Sequence, residues 1–245
     1  MHYTKSTIEF YDGFVGSQQQ TGINDRIYLL YKRMLRLGLN SKSNVLELGC
    51  GIGALSYLLA KTITKGRVDA VDISPESIAF AKQKIKHPQF IITAGDVVHH
   101  QTKLPSINFI TLFDVIEHIP NIDKAFSKLN SLLTDDGVII MVTPNHNSLQ
   151  RKLLGKRWFQ YKPIEHIQYF DRKSLNTFAE RNGLKIVYQT NCGQYADTRF
   201  LINRLNYYHF TFLAKLFNKI FGILRVKNKF FYTDTGSLFV VLKRK

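Results

Sequence analysis

The segment from Val45 to Gly53 constrains this chain more than any other, and it reads Val-Leu-Glu-Leu-Gly-Cys-Gly-Ile-Gly. Its first four residues are typical of a short buried strand, and Leu55, Leu58 and Leu59 recur at helical spacing just after it. The three glycines between them can adopt positive φ, and without a Cβ they let a ligand lie against the backbone. A strand, a glycine turn and a helix in this order predict a pocket of nucleotide size.

A second predicted strand, residues 67–71, ends in Asp72, which follows Gly53 by 19 residues. A carboxylate at the tip of such a strand can accept hydrogen bonds from both hydroxyls of a ribose, so the spacing suits any adenosine ligand. The glycine spacing does not exclude a dinucleotide, because Ala54 is tolerated where the dinucleotide pattern ends in glycine. The choice between adenosine ligands therefore depends on the motifs that follow.

Patterns typical of strands and helices alternate along the rest of the chain. Further strands are predicted at residues 89–93, 107–113, 137–143, 184–189 and 237–242, and helices at about 24–37, 75–85, 122–133 and 172–181. This alternation predicts an α/β fold with a parallel sheet, and 245 residues can bury one such core without disulfides. Of the two cysteines, Cys50 and Cys192, we expect Cys50 simply to pack inside the turn.

Four short motifs follow the first four predicted strands. They are Glu47-x-Gly49-x-Gly51-x-Gly53, Val71-Asp72-Ile73-Ser74, Gly95-Asp96 and Asp114-Val-Ile-Glu117-His118. Together they resemble the motifs of class I S-adenosylmethionine (SAM) methyltransferases. The resemblance covers about residues 24–190 and the last strand. It implies a Rossmann-like seven-stranded mixed sheet in the order 3-2-1-4-5-7-6, with strand 7 antiparallel.

The resemblance also implies which residues bind SAM and its demethylated product, S-adenosylhomocysteine (SAH). Asp72 would accept the ribose hydroxyls, and Asp96 would accept a hydrogen bond from the adenine amino group. An ordinary role for Asp96 in a turn is the alternative. The full implied cofactor set is Glu47, Gly49, Gly51, Gly53, Asp72, Ile73, Asp96, Val97 and Asp114.

Polar residues after the fourth strand are the candidates for chemistry. Asp114, Glu117 and His118 lie close together in sequence, and His166 lies in a later aromatic segment. This set is similar to that of the O-methyltransferases of ubiquinone biosynthesis. It is also similar to that of the small-RNA terminal 2′-O-methyltransferases, which hold Mg²⁺ with an acid-x-x-Glu-His and a distant histidine. Aspartate at the first position, where the RNA group has glutamate, shortens that ligand arm.

A hydroxyl acceptor needs a base or a metal near the methyl group. We therefore predict His118, His166 and Glu117 as catalytic residues, with one imidazole acting as general base or positioning the acceptor. Mg²⁺ held by Asp114, Glu117, His118 and His166 is the other hypothesis, and Mn²⁺ or Zn²⁺ would suit the same donors. Helix capping by His118 and packing by His166 are the structural alternatives. We expect His99 and His100, in a polar segment, to be solvated.

The positive charge is concentrated at the C-terminal end of the chain. Residues 151–245 contain 19 Lys and Arg against 5 Asp and Glu, a net charge of +14, so residues 1–150 contribute only +2 of the total +16. Such a charge indicates an anionic partner, which could be nucleic acid, a phospholipid surface or a phosphorylated substrate. A basic face that is merely solvated is the alternative.

Three segments fall outside the alternating pattern, and we treat all of them as parts of a single domain, residues 1–245. Residues 3–23 are predicted to cover the pocket mouth, and residues 144–170, rich in aromatic and basic side chains, to form a lid. Residues 196–234 are predicted to be a helical insertion that is aromatic, aliphatic and basic at once. That composition suits helices lying in a membrane interface, whereas a core or dimer helix is the alternative.

The sequence thus predicts a SAM-dependent methyltransferase that acts on a hydroxyl of a small or lipid-linked acceptor, with a membrane surface as a candidate partner. An RNA 2′-O-methyltransferase and a SAM-binding scaffold without turnover are the alternatives. The N-terminus lacks the apolar core of a signal peptide, and no run of about 18 uncharged apolar residues occurs. We therefore expect a cytoplasmic protein, either soluble or peripheral on the inner face of the membrane.

Overall fold

A computed structural model describes residues 23–24, 26–224, 226 and 230–245 of the chain. These residues divide into two compact units. The larger contains residues 30–192 and 236–245, and the smaller contains the described residues of 1–29 and 193–235. The predicted cover of the pocket, residues 3–23, lies outside the described residues except for its last member.

In the described part of the chain, the sheet consists of seven longer strands and one two-residue strand in the smaller unit. The seven longer strands are β1 (Val45–Leu48), β2 (Val68–Asp72), β3 (Phe90–Ala94), β4 (Ile107–Phe113), β5 (Leu133–Pro144), β6 (Leu184–Ala196) and β7 (Phe231–Arg244). Their order is β3-β2-β1-β4-β5-β7-β6. Strands β1 to β5 pair in parallel, whereas β7 runs antiparallel to β5. The predicted Rossmann-like order and the antiparallel seventh strand are confirmed.

The last two strands are longer than the sequence pattern predicted, since β6 runs to Ala196 and β7 begins at Phe231. Their added residues include polar ones such as Gln194, which gave no apolar alternation. The backbones of β6 and β7 come close together at Gly193, because a Cβ at this position would lie 2.2 Å from the carbonyl oxygen of Thr233. Hydrophobicity does not report such close backbone approach, so the sequence pattern missed these added residues.

Eight α-helices connect and follow the strands of the described chain. They are α1 (Arg26–Arg36), α2 (Ala54–Ala60), α3 (Pro75–Lys84), α4 (Ile122–Leu132), α5 (Leu149–Leu154), α6 (Arg172–Arg181), α7 (Thr198–Tyr207) and α8 (Thr211–Ile223). Side-chain caps fix the starts of α3 and α6. The hydroxyl of Ser74 accepts a hydrogen bond from the Ser77 N–H at 3.1 Å, and Asp171 forms a capping box with Ser174.

The core of the larger unit lies between the sheet and its helices, where β4 contributes Ile110 and Leu112. Phe126 of α4 and Phe178 of α6 pack edge to face, with ring centroids 4.7 Å apart. Because β1 to β5 are parallel, their carboxyl ends share one edge of the sheet, which is where open α/β sheets bind ligands. The four motifs found in the sequence all follow strands at this edge.

The smaller unit contains a short strand pair and two helices. Residues Ile23–Asn24 pair antiparallel with Tyr195 and Ala196, and three residues connect α7 to α8, which pack against each other. Both helices fall inside the insertion predicted at residues 196–234. Among the helices that the structure describes, none has both the length and the apolar character required to traverse a bilayer.

Candidate active site

The turn between β1 and α2 takes its shape from three glycines with positive φ. The angles are +73° at Gly49, +52° at Gly51 and +84° at Gly53. A Cβ at Gly49 would lie 2.2 Å from Cγ2 of Val115, and one at Gly53 would lie 2.7 Å from Cδ1 of Ile85. The positive φ favours glycine at both positions, and at Gly49 a side chain would also collide with Val115.

Gly51 differs from its neighbours, because a Cβ built there would have no atom within 4 Å. The space beside its backbone is therefore open, as a ligand lying against the turn requires. The Gly51 N–H donates to Oδ2 of Asp72 at 2.7 Å, which ties the tip of β2 to the turn. Observed backbone geometry and open space thus fit the adenosine ligand predicted from the sequence.

Asp72 uses both carboxylate oxygens within the protein, since Oδ1 also accepts a hydrogen bond from the Ser74 N–H at 3.0 Å. An ionised carboxylate has about four acceptor positions, so two remain for ligand hydroxyls. The next side chain, Ile73, is 77% exposed at the same strand tip. A large apolar residue held in solvent beside the turn could cover one face of a base. The ribose role of Asp72 stays a prediction.

Glu47 lies inside the protein, only 4% exposed, and accepts a hydrogen bond from the hydroxyl of Ser56 in α2. Burial, assisted by the charge of Asp72, raises the pKa of the Glu47 carboxyl to about 8. Its contact with α2 supports the turn from inside, whereas a direct role in holding SAM stays a prediction. Burial likewise raises the pKa of the Cys50 thiol, so that this cysteine is a packing residue, as expected.

Asp96 and Val97 follow β3. Oδ1 of Asp96 accepts a hydrogen bond from the Val98 N–H at 2.7 Å, and Oδ2 lies 2.9 Å from Nδ1 of His99. These two contacts, the backbone one first, lower the pKa of the Asp96 carboxyl. The turn role of Asp96 is therefore present, and Val97 packs against the core. The adenine role remains a prediction for this exposed carboxylate.

The expectation that His100 is solvated is wrong. Its Nε2 lies 2.9 Å from Oδ2 of Asp69, and only 10% of the His100 side chain is exposed. Asp69 occupies a buried position within β2 between Val68 and Ala70. A carboxylate in the middle of a buried strand needs a partner, so Asp69 was the signal in the sequence that could have located this pair.

Asp114 ends β4 in a strained conformation, with φ of +57°, while its N–H donates to the carbonyl of Val142 at 2.9 Å. A residue with a side chain adopts the left-handed region at a cost of roughly 1–2 kcal/mol, and such residues concentrate at functional sites. The following residue, Val115, is the one that contacts Gly49. The tips of β1 and β4 are therefore adjacent at the ligand-binding edge.

Glu117, His118 and His166 come together although the last lies far along the chain. One ligand atom from each of the three lies within 4.8 Å of the others, and the two imidazole rings are 4.8 Å apart between centroids. Glu117 is 1% exposed and accepts a hydrogen bond from the Thr143 hydroxyl at 3.1 Å. Asp114 is outside this group, so the structure assembles three of the four predicted metal ligands.

Both imidazoles are oriented by backbone carbonyls. Nδ1 of His118 lies 2.7 Å from the carbonyl oxygen of Glu165, and Nδ1 of His166 lies 2.9 Å from that of Gln160. A carbonyl only accepts hydrogen bonds, so Nδ1 carries the proton and Nε2 keeps its lone pair in each neutral ring. Burial, followed by the neighbouring His118, lowers the pKa of His166 and favours this neutral form.

The predicted lid, residues 144–170, closes on the same turn that contains Glu117. The Ile167 and Gln168 N–H groups both donate to the carbonyl of Glu117, at 3.0 and 3.1 Å. Tyr169 then lies 6.2 Å from His166 between ring centroids and stacks on Tyr161 at 5.6 Å. These contacts place the ring of Tyr169 beside His166, which the sequence did not specify.

A family model described as a methyltransferase domain matches residues 23–189, more than half of the chain. A ubiquinone biosynthesis O-methyltransferase of Actinobacillus pleuropneumoniae is 31% identical over 108 residues, 41% of this chain and 45% of the relative. A (S)-coclaurine N-methyltransferase of Papaver somniferum is 23% identical over 156 residues, 62% of this chain and 42% of the relative. This chain therefore spans less than half the length of these two relatives.

Solved structures share the fold. Magnesium protoporphyrin IX methyltransferase from Synechocystis PCC 6803 with bound SAH has a TM-score of 0.58 and 17% identity, covering 99% of this chain and 100% of that one. A chain from the complex of a Haloferax volcanii methyltransferase with its Trm112 activator has a TM-score of 0.63 and 14% identity, covering 97% and 95%. With the family match and the shared fold, the chain belongs to the methyltransferase-domain family and has the fold of the class I SAM-dependent methyltransferases.

Proposed function

We propose that this enzyme transfers the methyl group of SAM to a hydroxyl of a small or lipid-linked acceptor. The observation that carries the proposal is the imidazole pair, His118 and His166, beside the buried Glu117. In both rings Nδ1 is fixed by a carbonyl, which leaves Nε2 able to take a proton. Methylation of a hydroxyl requires the loss of one proton, so a correctly oriented base is the group this reaction needs.

Bound SAM supplies a methyl group that its sulfonium has already activated. The protein has to hold the acceptor in line and receive its proton. His166 suits the second task because its lowered pKa keeps it neutral near pH 7. The carboxylate of Glu117, held by Thr143, would stabilise the positive charge that develops on an imidazole as it accepts the proton.

A divalent cation is the second candidate for this role. Glu117, His118 and His166 would hold it, since histidine ligands of metals commonly donate their other ring N–H to a carbonyl, as both do here. A bound cation would lower the pKa of a coordinated hydroxyl. Two imidazoles and one carboxylate suit Mn²⁺ or Zn²⁺ better than Mg²⁺, which prefers oxygen ligands. Mg²⁺ therefore has less support than the imidazole base.

The acceptor class rests on similarity and composition. A ubiquinone biosynthesis O-methyltransferase and a malonyl-[acyl-carrier protein] O-methyltransferase of Halalkalibacterium halodurans are among the relatives, which favours oxygen as the methylated atom. The net charge of +14 on residues 151–245 favours an anionic partner. We propose a cytoplasmic enzyme peripheral to the inner face of the membrane. RNA methylation at a 2′-hydroxyl is the alternative that the same charge permits, and its binding would weaken steeply with salt.

Methyl transfer from labelled SAM to a panel of phenols, polyprenyl-linked alcohols and structured RNA tests the proposal. We expect His166→Gln to lower kcat on the best acceptor by about 10²- to 10⁴-fold, the usual contribution of a general base. The dissociation constant of SAM, measured by calorimetry, should stay unchanged. His87→Gln, which replaces a histidine next to β3, is the matched control and should retain wild-type turnover.

Three outcomes would contradict parts of this proposal. Full turnover by His166→Gln would show that His166 is not the general base. Tight SAM binding with no acceptor methylated would indicate a SAM-binding scaffold without turnover. Methylation of RNA alone would select the alternative acceptor. Dialysis against a chelator distinguishes base from cation, because the imidazole mechanism predicts that kcat survives metal removal.

A further inference from the structure

Helix α8 exposes a broad apolar face in the smaller unit. Phe212 is 76% exposed and Ile223 is 71% exposed. At 100° per residue, the exposed apolar side chains fall within one arc of about 120° on the helix. They are Phe212, Leu213, Leu216, Ile220, Ile223 and Leu224.

The helix already has an internal partner on a different face. Ala214 is buried, Phe217 and Phe221 are half-buried with ring centroids 5.7 Å apart, and α8 packs against α7. These three residues occupy the arc next to the exposed one. The exposed apolar arc is therefore additional to the face that the helix needs for its own packing.

Lysines border the exposed arc. Lys215 and Lys219 are both exposed and share the third face of α8, beside Phe212. The surrounding segment has a charge of one sign, since residues 198–233 contain seven Lys and Arg and no Asp or Glu. A helix that combines a wide apolar arc with lysines at its edge matches the side chains of interfacial helices on anionic lipid.

The length of α8 decides how such a helix would meet lipid. Its 13 residues extend about 20 Å, whereas a span of the hydrocarbon core needs about 30 Å. The helix can therefore lie in the plane of the interface with its apolar arc among the acyl chains.

We propose that this arc of α8 inserts into an anionic phospholipid surface, with Lys215 and Lys219 at the headgroup phosphates. The inference rests on the proposed function, because membrane binding would bring the enzyme to a lipid-linked acceptor. The binding itself requires no methyl transfer. It can therefore be tested separately from the chemistry.

Cosedimentation of the full-length protein with vesicles tests the apolar arc. The protein should bind vesicles of phosphatidylcholine and phosphatidylglycerol, and Phe212→Gln or Ile223→Gln should each weaken binding on the order of tenfold. Val187→Gln in β6 removes a half-exposed apolar side chain from the larger unit, and it should bind as the wild type does.

The lysines are tested on the same vesicles at low salt. Lys215→Gln with Lys219→Gln should weaken binding by about fivefold for each lysine, and both effects should fade as salt rises. Lys82→Gln with Lys86→Gln, which removes the same charge from the larger unit, should change binding little. Vesicles of phosphatidylcholine alone should retain little protein.

Equal sedimentation of wild type and the Phe212→Gln variant would overturn the inference, as would equal binding to neutral and anionic vesicles. A wild-type dimer that becomes monomeric in Phe212→Gln, with no vesicle binding, would assign the arc to a second copy of the chain. Calorimetry with SAM on each variant separates the outcomes, because a lost lipid contact with unchanged SAM affinity leaves the proposed chemistry intact.

Discussion

The carboxyl edge of the sheet has two parts, one formed mainly by backbone atoms and the other mainly by side chains. At the tips of β1 and β2 the site consists of backbone, with Gly49, Gly51 and Gly53 at positive φ and the Gly51 N–H bound to Asp72. At the tip of β4 the site consists of side chains, and the paired imidazoles come from segments that contact each other only in the folded chain. The glycine turn depends on the lack of Cβ atoms, whereas the tip of β4 depends on the imidazole side chains.

This difference predicts opposite sensitivities to mutation. A backbone cradle is damaged when atoms are added, because a new Cβ must fit a conformation and a space that glycine alone satisfies. A cluster of side chains is damaged when atoms are removed, since the proposed base and its oriented tautomer are lost together. Mutations that add one methyl group therefore test the proposed cofactor half, and histidine replacements test the proposed acceptor half.

Among the variants of the proposed cofactor half, the largest effect is expected from alanine at the glycines of the turn. Gly51→Ala places a methyl group in open space beside the backbone, and we expect SAM affinity to fall by roughly 10- to 100-fold, as for an inserted methyl group in a packed site. Its free energy of unfolding should fall only by the strain of positive φ, roughly 1–2 kcal/mol. Calorimetry with SAM and urea denaturation measure the two quantities.

The neighbouring glycine supplies the contrast. Gly49→Ala adds the same strain and also a collision with Val115, so its free energy of unfolding should fall by about 2–5 kcal/mol. Gly38→Ala is the matched control, because φ of Gly38 is +99° and a Cβ there meets no atom within 4 Å. It should lower the free energy of unfolding by the strain alone and leave SAM affinity unchanged. Equal SAM affinities for wild type and Gly51→Ala would show that the open space at this glycine is not where the cofactor lies.

The same contrast explains what the sequence could predict. The glycine turn and Asp72 were predictable because strand, turn and tip are contiguous or fall at a fixed spacing. The sheet order followed from the resemblance, and β4 was located within its true bounds. The contact between His118 and His166 was suggested only by the resemblance, since no local pattern reports which side chains a lid brings to a strand tip.

Other features of the edge could not be read from residue type. Asp114 has a positive φ at the end of β4, where its N–H binds the carbonyl of Val142. The residue type alone does not predict this backbone conformation. Likewise, Glu47 matched an acidic motif position, but its burial against Ser56 depends on how α2 packs. Predictions of this kind fail because they concern tertiary contacts rather than the periodicity of one segment.

Counted per pH unit, a smaller effect on stability than that of Gly49→Ala is expected from the buried carboxyl of Glu47. The pKa of Glu47 in the folded protein is about 8, above its ordinary value of 4.5, so between these values the folded state holds a proton that the unfolded state has released. The stability from this proton is complete below pH 4.5 and is lost as pH rises through 8. The free energy of unfolding of the SAM-free protein should fall by up to about 1.4 kcal/mol per pH unit in this window.

Glu47→Gln should remove this dependence, because an amide does not titrate and its oxygen can still accept from Ser56. Urea denaturation at intervals from pH 5 to 8.5 measures the slope for each protein. Glu76→Gln, at an exposed carboxyl in α3, is the control and should keep the wild-type slope. Parallel curves for wild type and Glu47→Gln would mean that Glu47 is ionised in the folded protein.

The smallest effect concerns Ile73, the exposed apolar side chain at the tip of β2. If it covers one face of the adenine, Ile73→Ser should weaken SAM binding by roughly fivefold, since only part of its surface is buried by the ligand. Because the side chain is in solvent without ligand, the free energy of unfolding should change by less than about 0.5 kcal/mol. Leu35→Ser, at a half-exposed apolar position of α1, should leave SAM affinity unchanged. An Ile73→Ser variant with wild-type affinity would confine recognition on this half of the edge to the backbone and Asp72, which sharpens the contrast with the side chains of the acceptor half.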